Sequence, residues 1–563
     1  MNIYEARPFK VRNAEDFELS QILDVFVSPI SSTKSPFDFE NSIIKGAMGS
    51  GKSILLKANY AFHLYSIVPS FVAEEPVILP VFIRLSDFQH IREPHEIYKA
   101  VITQVVKEIA NIYGELESAE RLMKIHHGMK SLPDSIFEAS RLREVLEGIV
   151  KMEAEEYKET ISKELGLAGK AKPRFIELGV DFREKGVQEI TSKKQPGIGD
   201  VHDTFRRLLG DFNGALLLLL DEAGSLDKSF FRAEQQISLF ETLMNQFRTA
   251  EYLRAKIAVY PHSYSDVLVE TRYGDMIPLS EDVVDPIGYE RFRERVLGIM
   301  DRYLKANSGK ELELLDVFNV SNSSSAVGDS LEQVIYASGG NTRRLLAILD
   351  TCMQEAYSIH GGDTKVEYDH VLTGLKKHAA AAESIHNSID REFLETLAKA
   401  CRSRSTYRFK FPYKAPLLAK YIGKSEEHNV LAITEAGSGR RGTTYEFDYA
   451  FCLHHEIPTH YVKDSERIDK ARSRNTGTWI NRTVQISEEI IEHAQVPGKI
   501  EGEVEYLDGE HGFVKADSGK SYYITSKAVI EADRGKTLLQ GKRVRFYPLE
   551  TEGALLAYAV EVL

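Results

Sequence analysis

The apolar residues in the first half of the chain follow two alternating patterns. Short, almost continuous apolar runs lie at residues 76–85, 216–220 and 256–260, and such runs are typical of strands buried on both faces. Between the first two runs, residues 94–113 carry apolar side chains at helical spacing. Because buried strands that alternate with helices form parallel sheets, this pattern predicts an α/β fold with a parallel sheet and flanking helices.

The pattern changes in the second half of the chain. Residues 286–387 are mostly helical by pattern, and the next segment combines two helices with a strand. Near the end, five short strands with glycine turns predict a small β-barrel. We therefore predict a multidomain α/β protein with a lead-in at 1–35, a P-loop α/β domain at 36–285, a helical lid at 286–387, a winged helix at 388–460, a basic linker at 461–496 and the barrel at 497–563.

One segment of the α/β domain, residues 134–200, is predicted to be an insertion. Residues 135–167 form a charged helix with an apolar stripe, and residues 175–182 alternate like a strand. Two interpretations stay open, a surface elaboration and a docking element for a neighbouring subunit or effector.

Composition and charge narrow the class of protein. The chain has 563 residues, 43% of them hydrophobic and 28% charged, with a net charge of −13, so any contact with nucleic acid must come from local basic patches. The cysteines lie far apart, which argues against a zinc site and a disulfide scaffold and favours a reducing cytoplasm. The longest apolar run, residues 215–220, is too short to span a membrane, so we expect a cytoplasmic protein.

Residues 46–53 match the phosphate-binding pattern G-x-x-x-x-G-K-[ST], between a predicted strand and a predicted helix. Glycines let successive backbone N–H groups point at a phosphate near the helix N-terminus. Lys52 would reach the β- and γ-phosphates, and the hydroxyl of Ser53 would ligate Mg²⁺. The alternative is an ordinary glycine turn. The predicted nucleotide-binding residues are Gly46, Ala47, Met48, Gly49, Ser50, Gly51, Lys52 and Ser53.

Two carboxylates follow the leucine-rich run at residues 216–220. Parallel sheets bind ligands at the carboxyl ends of their strands, which is where Asp221 and Glu222 would lie. Downstream of a P-loop, Asp221 would hold the Mg²⁺ shell and Glu222 would activate the attacking water as general base. The alternative is a capped strand end. The strand at residues 256–260 leads to His262 and Ser263, which either sense the γ-phosphate or are solvated.

Basic residues also mark possible contacts in the second half of the chain. Arg343 opens a predicted helix, where it would either reach nucleotide phosphates from a lid or face solvent. Residues 401–414 alternate basic and aromatic side chains, which is typical of a nucleic-acid surface and also of a half-buried strand. Residues 437–442 form a glycine–arginine loop like a wing. The candidate nucleic-acid contacts here are Arg404, Arg408, Lys410, Arg440 and Arg441; a protein-binding winged helix is the alternative.

With these motifs assembled, residues 36–460 resemble an AAA+ ATPase of the initiator, or origin-recognition, clade. Residues 46–53 look like its Walker A motif, Asp221-Glu222 like Walker B, and Gly340-Asn341-Thr342-Arg343 like its sensor 2 signature. The resemblance implies ATP and Mg²⁺ as cofactors, Arg343 as the lid arginine, Arg272 as the arginine finger and assembly into a homo-oligomer on DNA. The sensor 1 position departs from the family pattern, since it carries Tyr260-Pro261-His262.

The last segment, residues 497–563, resembles a cold-shock-type OB-fold. The resemblance lies in Gly502-Glu503-Val504-Glu505-Tyr506 and in His511-Gly512-Phe513-Val514. It implies that Tyr506, Phe513 and Tyr522 stack on single-stranded bases. The family's Lys-Gly-Phe-Gly-Phe is shortened here, and acidic residues outnumber basic ones in the segment, so a protein-docking OB-fold is the alternative.

These features together predict a slow ATPase that acts as an AAA+ switch, assembling on or remodelling nucleic acid, DNA more than RNA. We expect a prokaryotic genome-maintenance, mobile-element or phage-defence setting. Two alternatives stay open. One is an ATP-gated scaffold that controls a separate effector encoded nearby, such as a nuclease; the other is an RNA-binding protein that acts through the tail. No membrane partner is expected.

Overall fold

The computed structural model divides into two compact units, and each is described by itself. The P-loop unit comprises residues 11–282 and 287–311, and the C-terminal unit comprises residues 1–10, 283–286 and 312–563. The structure describes residues 3–29, 35–72, 75–91, 100–101, 104–105, 108, 112, 214–225, 251–260, 274–279, 286–308, 312–319, 330–362, 365–404, 406–411, 416–422, 429–435, 443–457, 483–486, 499–509, 511–525, 528–529, 533, 538–551 and 554–563.

A five-stranded sheet forms the centre of the P-loop unit. All of its strand pairs are parallel, in the order β2-β3-β4-β1-β5, which confirms the predicted parallel sheet. The leucine-rich strand is buried from Ala215 onward and has a neighbouring strand on each side. The strands are β1 (Ser42–Lys45), β2 (Val77–Arg84), β3 (Gly214–Asp221), β4 (Leu253–Val259) and β5 (Asp275–Pro278).

Helices flank this sheet within the P-loop unit. They are α2 (Leu19–Val25), α3 (Lys52–Val72) and α4 (Pro286–Ser308), with 3-10 turns at Leu85–Phe88 and Ala223–Ser225. Helix α4 packs in this unit: the ring of Tyr303 meets Phe17 edge-on at 5.8 Å between centroids, and Arg302 donates to the carbonyl of Leu23 at 3.1 Å. The predicted lid boundary at residue 286 therefore differs from the structural division, which places α4 with the sheet.

A buried polar group lies between α3 and strand β4. The Lys256 ammonium is 1% exposed and pairs with the Asp38 carboxylate at 2.6 Å. His63 of α3 lies nearby, and burial together with the positive charge of Lys256 lowers its pKa to about 4. His63 is therefore neutral in the folded protein at pH 7.

The lowered pKa of His63 predicts that the protein loses stability in mild acid. In the unfolded chain His63 protonates below about pH 6.5, whereas the folded protein resists protonation until about pH 4, so its contribution is lost as pH falls between these values. We expect His63 to account for about 2 kcal/mol of the free energy of unfolding lost between pH 7 and pH 5. In guanidinium unfolding, the free energy of unfolding of His63→Leu should fall by about 2 kcal/mol less than that of the parent between pH 7 and pH 5. The surface variant His90→Ala should behave like the parent, and equal slopes in all three proteins would contradict the assignment.

The C-terminal unit begins with a helical part. Its helices are α1 (Ile3–Ala6), α5 (Leu314–Val317), α6 (Ser330–Ala337), α7 (Thr342–His360) and α8 (Tyr368–Ser384). The Arg7 guanidinium pairs with the buried Asp350 carboxylate of α7 at 2.6 Å, and Tyr4 stacks on Tyr357 at 5.9 Å. Residues 1–10 thus pack on α7 rather than continuing with the lead-in predicted for 1–35.

A second, four-stranded sheet follows in the order β7-β8-β6-β9. Its strands are β6 (Arg408–Phe411), β7 (Leu431–Glu435), β8 (Thr443–Phe447) and β9 (Thr483–Gln485). The same part of the chain contains α9 (Ser388–Ser403), a 3-10 turn (Pro416–Tyr421) and α10 (Tyr449–His454). Phe409 and Phe411 of β6 are fully buried. The basic–aromatic alternation is therefore that of a half-buried strand whose rings enter the core.

The last part of the C-terminal unit is a closed barrel in the order β10-β11-β12-β14-β13, which confirms the predicted small barrel. It closes through the antiparallel pair β10–β13 and the parallel pair β12–β14. The strands are β10 (Ile500–Asp508), β11 (His511–Ala516), β12 (Ser521–Thr525), β13 (Arg543–Thr551) and β14 (Ala554–Val562). Among the described residues, no helix combines the length and apolar character needed to cross a bilayer.

Candidate nucleotide site at the carboxyl edge of the parallel sheet

The P-loop connects the end of β1 to the start of α3. Glycine is required at two of its positions, because Gly49 has φ +83° and Gly51 has φ +96°. Helix α3 begins at Lys52, so the loop ends at a helix N-terminus. The local geometry is thus that of an anion-binding loop, as the motif predicts.

Lys52 is held over the loop. Its ammonium donates to the carbonyls of Gly46 at 2.8 Å and Ala47 at 2.7 Å, and the side chain is only 8% exposed. The same ammonium lies 4.2 Å from the centre of the Tyr260 ring. A buried cation at the mouth of a glycine loop is placed to bind phosphate oxygens.

The hydroxyl of Ser53 lies beside the carboxylate of Asp221. Asp221 is 3% exposed, and burial raises the pKa of its carboxyl while the Ser53 hydroxyl opposes that shift. The backbone N–H of Glu222 also donates to Asp221 Oδ1 at 2.8 Å. Two adjacent oxygen ligands of this kind, one from the P-loop and one from β3, fit the preferences of Mg²⁺.

Glu222 has an unusual backbone conformation and a hydrogen-bond partner in the turn that follows β2. Its φ is +56°, in the left-handed region, directly after the last residue of β3. The hydroxyl of Ser86, just beyond β2, donates to Glu222 Oε2. Because β2 and β1 lie on opposite sides of β3, this bond draws the carboxylate toward the side of the sheet away from the P-loop strand.

Removing the Ser86 hydroxyl is expected to raise basal ATP turnover severalfold, because it removes one hydrogen bond that holds the Glu222 carboxylate on the β2 side of β3. The gain should not exceed about 150-fold, since a hydrogen bond to a charged group is worth about 1.5–3 kcal/mol. Phosphate release by Ser86→Ala at saturating ATP measures this. Ser86→Thr, which keeps a hydroxyl, should match the parent. Slower turnover in the alanine variant would instead show that Ser86 positions the base.

Sequence reasoning missed both Ser86 and the place of Tyr260. The Tyr260 ring covers Gly224, where a Cβ would lie 1.9 Å from a ring carbon, and it also faces Lys52. Tyr260 directly follows the last residue of β4. The polar position after the apolar run of β2 would have been a signal for Ser86. The other candidates in this region, His262, Ser263 and Arg272, lie outside the described residues.

The two arginines at the start of α7 have different surroundings within the C-terminal unit. Arg344 is buried and pairs with Asp448 at 2.6 Å, so it joins α7 to the start of α10. Arg343, the predicted lid arginine, is half-buried, and its Nε makes no hydrogen bond to the described residues. Asn341 caps the helix by accepting from the Arg344 N–H at 3.0 Å.

The candidate nucleic-acid contacts around β6 differ in their exposure and in their partners within the protein. Arg408 pairs with Glu446 at 3.0 Å and lies over the Tyr407 ring, which reduces the charge it presents. Lys410 is half-buried on the same strand, and Arg404 is exposed at the end of α9. Arg440 and Arg441 lie outside the described residues, as does the whole predicted wing loop.

The barrel presents a row of aromatic side chains across three strands. Tyr506 is paired in register with Phe513, and Phe513 with Tyr523. Tyr506 is 52% exposed and Phe513 is 45% exposed. The prediction that Tyr522 stacks on bases is wrong, because its ring is 3% exposed and packs against Phe546 inside the barrel. The neighbouring Tyr523 takes its place on the surface.

No family model matches the chain, and no curated protein does. Among solved structures, the chain is similar to the Aeropyrum pernix ORC2 protein in its ADPNP–ADP complexes, at 12% identity and a TM-score of 0.29, over 70% of this chain and 78% of that one. It is similar to the Aeropyrum pernix ORC1 protein in complex with DNA at 12% identity and a TM-score of 0.29, over 82% and 94%. The chain is also similar to the ADP form of the Aeropyrum pernix ORC2 protein, at 11% identity and a TM-score of 0.27, over 78% of this chain and 88% of that one.

Proposed function

We propose that the protein binds ATP with Mg²⁺ and hydrolyses it. The observation that carries this proposal is that Ser53 of the P-loop lies beside the buried Asp221 of β3, so that two motifs distant in sequence meet at one point. Lys52 directly precedes Ser53 and Glu222 directly follows Asp221, so both lie beside this point. A phosphate-binding loop beside two carboxylates at the carboxyl edge of a parallel sheet is suited to phosphoryl transfer to water.

Each residue then has a distinct task. The loop N–H groups and the Lys52 ammonium bind and orient the β- and γ-phosphates. Ser53 and Asp221 hold the metal, and bound Mg²⁺ supplies charge that neutralises the phosphate oxygens. Glu222 takes the proton from the attacking water once its carboxylate leaves Ser86. The assignment to the initiator clade of AAA+ ATPases, with Arg343 as lid arginine, Arg272 as finger and a winged helix at 388–460, remains part of this proposal.

We propose further that the protein engages single-stranded nucleic acid through the aromatic row of the barrel, formed by Tyr506, Phe513 and Tyr523. Tyr506 and Phe513 are exposed and Tyr523 is half-buried, and these rings in register across adjacent strands give successive bases a stacking surface. The nearby arginines contribute little free charge, because Arg543 pairs with Asp517 at 2.6 Å and Arg545 with Glu501 at 2.7 Å. Binding by this surface should therefore depend on stacking more than on salt.

Nucleotide-dependent binding of the full chain to a labelled single-stranded oligonucleotide tests the proposal. Fluorescence anisotropy with ATP and with ADP should give different affinities, as a nucleotide-driven switch requires. Because each stacked ring is worth about 1–3 kcal/mol, the variants Tyr506→Ala and Phe513→Ala should each weaken binding by about 5- to 150-fold. Tyr65→Ala, which removes a ring of similar exposure from the P-loop unit, should have no effect. Unchanged affinity in both barrel variants would remove the barrel from nucleic-acid binding and favour a protein-docking role.

A further inference from the structure

Two histidines and a glutamate converge in the C-terminal unit, far in sequence from the proposed nucleotide site. Glu383 lies in the last turn of α8, His454 ends α10, and His455 follows it. Each offers one ligand atom, and these atoms all lie within 4.8 Å of one another. Glu383 Oε2 is 3.4 Å from His454 Nε2 and 3.0 Å from His455 Nε2.

These spacings suit a single metal ion. A tetrahedral zinc site with bonds of about 2.0–2.1 Å to nitrogen and oxygen has ligand atoms about 3.3 Å apart. The distance from Glu383 to His454 already matches this edge, and the distance to His455 requires an opening of only a few tenths of an ångström. Imidazole nitrogens favour Zn²⁺ over Mg²⁺ or Ca²⁺, which prefer oxygen ligands.

A supporting shell around His455 is also present. Its other ring nitrogen, Nδ1, lies 2.9 Å from Glu395 Oε2, in the arrangement by which a carboxylate orients a metal-bound imidazole. Arg402 holds Glu395 at 2.6 Å and also donates to the backbone carbonyl of His455. The His455 ring stacks on Phe451, with 4.2 Å between ring centroids. The ring is thus fixed with Nε2 directed at Glu383.

We propose that Glu383, His454 and His455 bind one Zn²⁺ ion, with a water molecule at the fourth position. Glu383 and His455 lie 72 positions apart in sequence, so the ion cross-links the end of α8 to the end of α10, and Glu395 adds α9 to the cluster. The site is open enough for metal to enter, because the His454 side chain is 32% exposed. The cysteine spacing that argued against a zinc site does not bear on one built from histidine and glutamate.

The competing explanation is an ion-paired cluster without metal, in which a protonated His455 bridges the two glutamates. Zinc titration of the full chain distinguishes the two. The protein is stripped with a chelator, exchanged into buffer with excess Mg²⁺ to fill oxygen-ligand sites, and titrated with Zn²⁺ by calorimetry. We expect the parent to bind one equivalent more than His454→Ala or His455→Ala. His90→Ala, which removes an exposed histidine of the P-loop unit, should bind as the parent does.

Three further measurements keep the test independent of folding defects. Co²⁺ added to the stripped parent should give the intense visible bands of a tetrahedral site, and these should be absent in Glu383→Gln. Glu395→Gln, which leaves all three ligands in place, should retain the stoichiometry and weaken affinity by about 10- to 100-fold. Saturating Zn²⁺ should raise the melting temperature of the parent but not of the ligand variants. Equal zinc stoichiometry in the parent and both histidine variants, or only faint octahedral cobalt bands, would overturn the proposal.

Discussion

Replacing Lys52 with alanine is expected to weaken ATP binding by about 10²- to 10³-fold. Its ammonium is buried over the loop and donates to the carbonyls of Gly46 and Ala47, so it is already positioned for a phosphate. Truncating one member of a desolvated charged pair costs about 3–4 kcal/mol, which corresponds to this loss. Calorimetry with ATP and Mg²⁺ measures the affinity directly.

The control for this variant is Lys305→Ala. Lys305 is a surface lysine of α4 in the same unit, where it pairs with Asp301 at 2.8 Å. It should leave ATP affinity and the melting temperature unchanged. If Lys52→Ala binds ATP as tightly as Lys305→Ala does, residues 46–53 are not a nucleotide site, and the proposed function fails with them.

Changing Glu222 to glutamine should leave ATP binding intact and slow hydrolysis by about 10²- to 10⁴-fold. Glutamine keeps the size of the side chain and can still accept the hydrogen bond from Ser86, but it cannot take a proton from water. Single-turnover phosphate release, measured beside equilibrium binding, separates the two effects. The variant should also accumulate whatever assembly ATP promotes, which mass photometry can follow.

Glu251→Gln supplies the matched control, because Glu251 is an exposed glutamate just before β4 in the same unit. Its turnover should equal that of the parent. A Glu222→Gln variant that hydrolyses ATP at the rate of Glu251→Gln would assign the general base to another group. Lost binding in Glu222→Gln would instead indicate a structural role at the left-handed backbone position.

Local patterns predicted the site residues that belong to single motifs. The P-loop and the Asp221-Glu222 pair could be found from sequence because each depends on a strand and the few residues after it. Ser86 and Tyr260 were not found, because their contacts with Glu222 and Lys52 depend on which strands are neighbours in the sheet. Strand order is set by packing of the whole sheet, and no short stretch of sequence encodes it.

In the barrel, the alternation of side chains along β12 predicts the orientation of Tyr522 better than the resemblance to cold-shock-type OB-folds does. Ile524 is buried, and period-2 alternation along β12 places Tyr522 on the same inner face. That phase alone would have assigned Tyr523 to the surface. The cluster at Glu383 was not predictable in the same way, since the folded chain brings its members together from three helices.

The ion pair between Arg7 and Asp350 has a consequence for synthesis of the chain. Its members lie 343 positions apart, so at about 5–20 residues per second the ribosome delivers Asp350 about 17–70 s after Arg7. Throughout that interval α1 lacks α7, the helix on which Arg7 and Tyr4 pack. A chaperone or a transient contact that shields Tyr4 during translation would therefore be expected to improve the yield of folded protein.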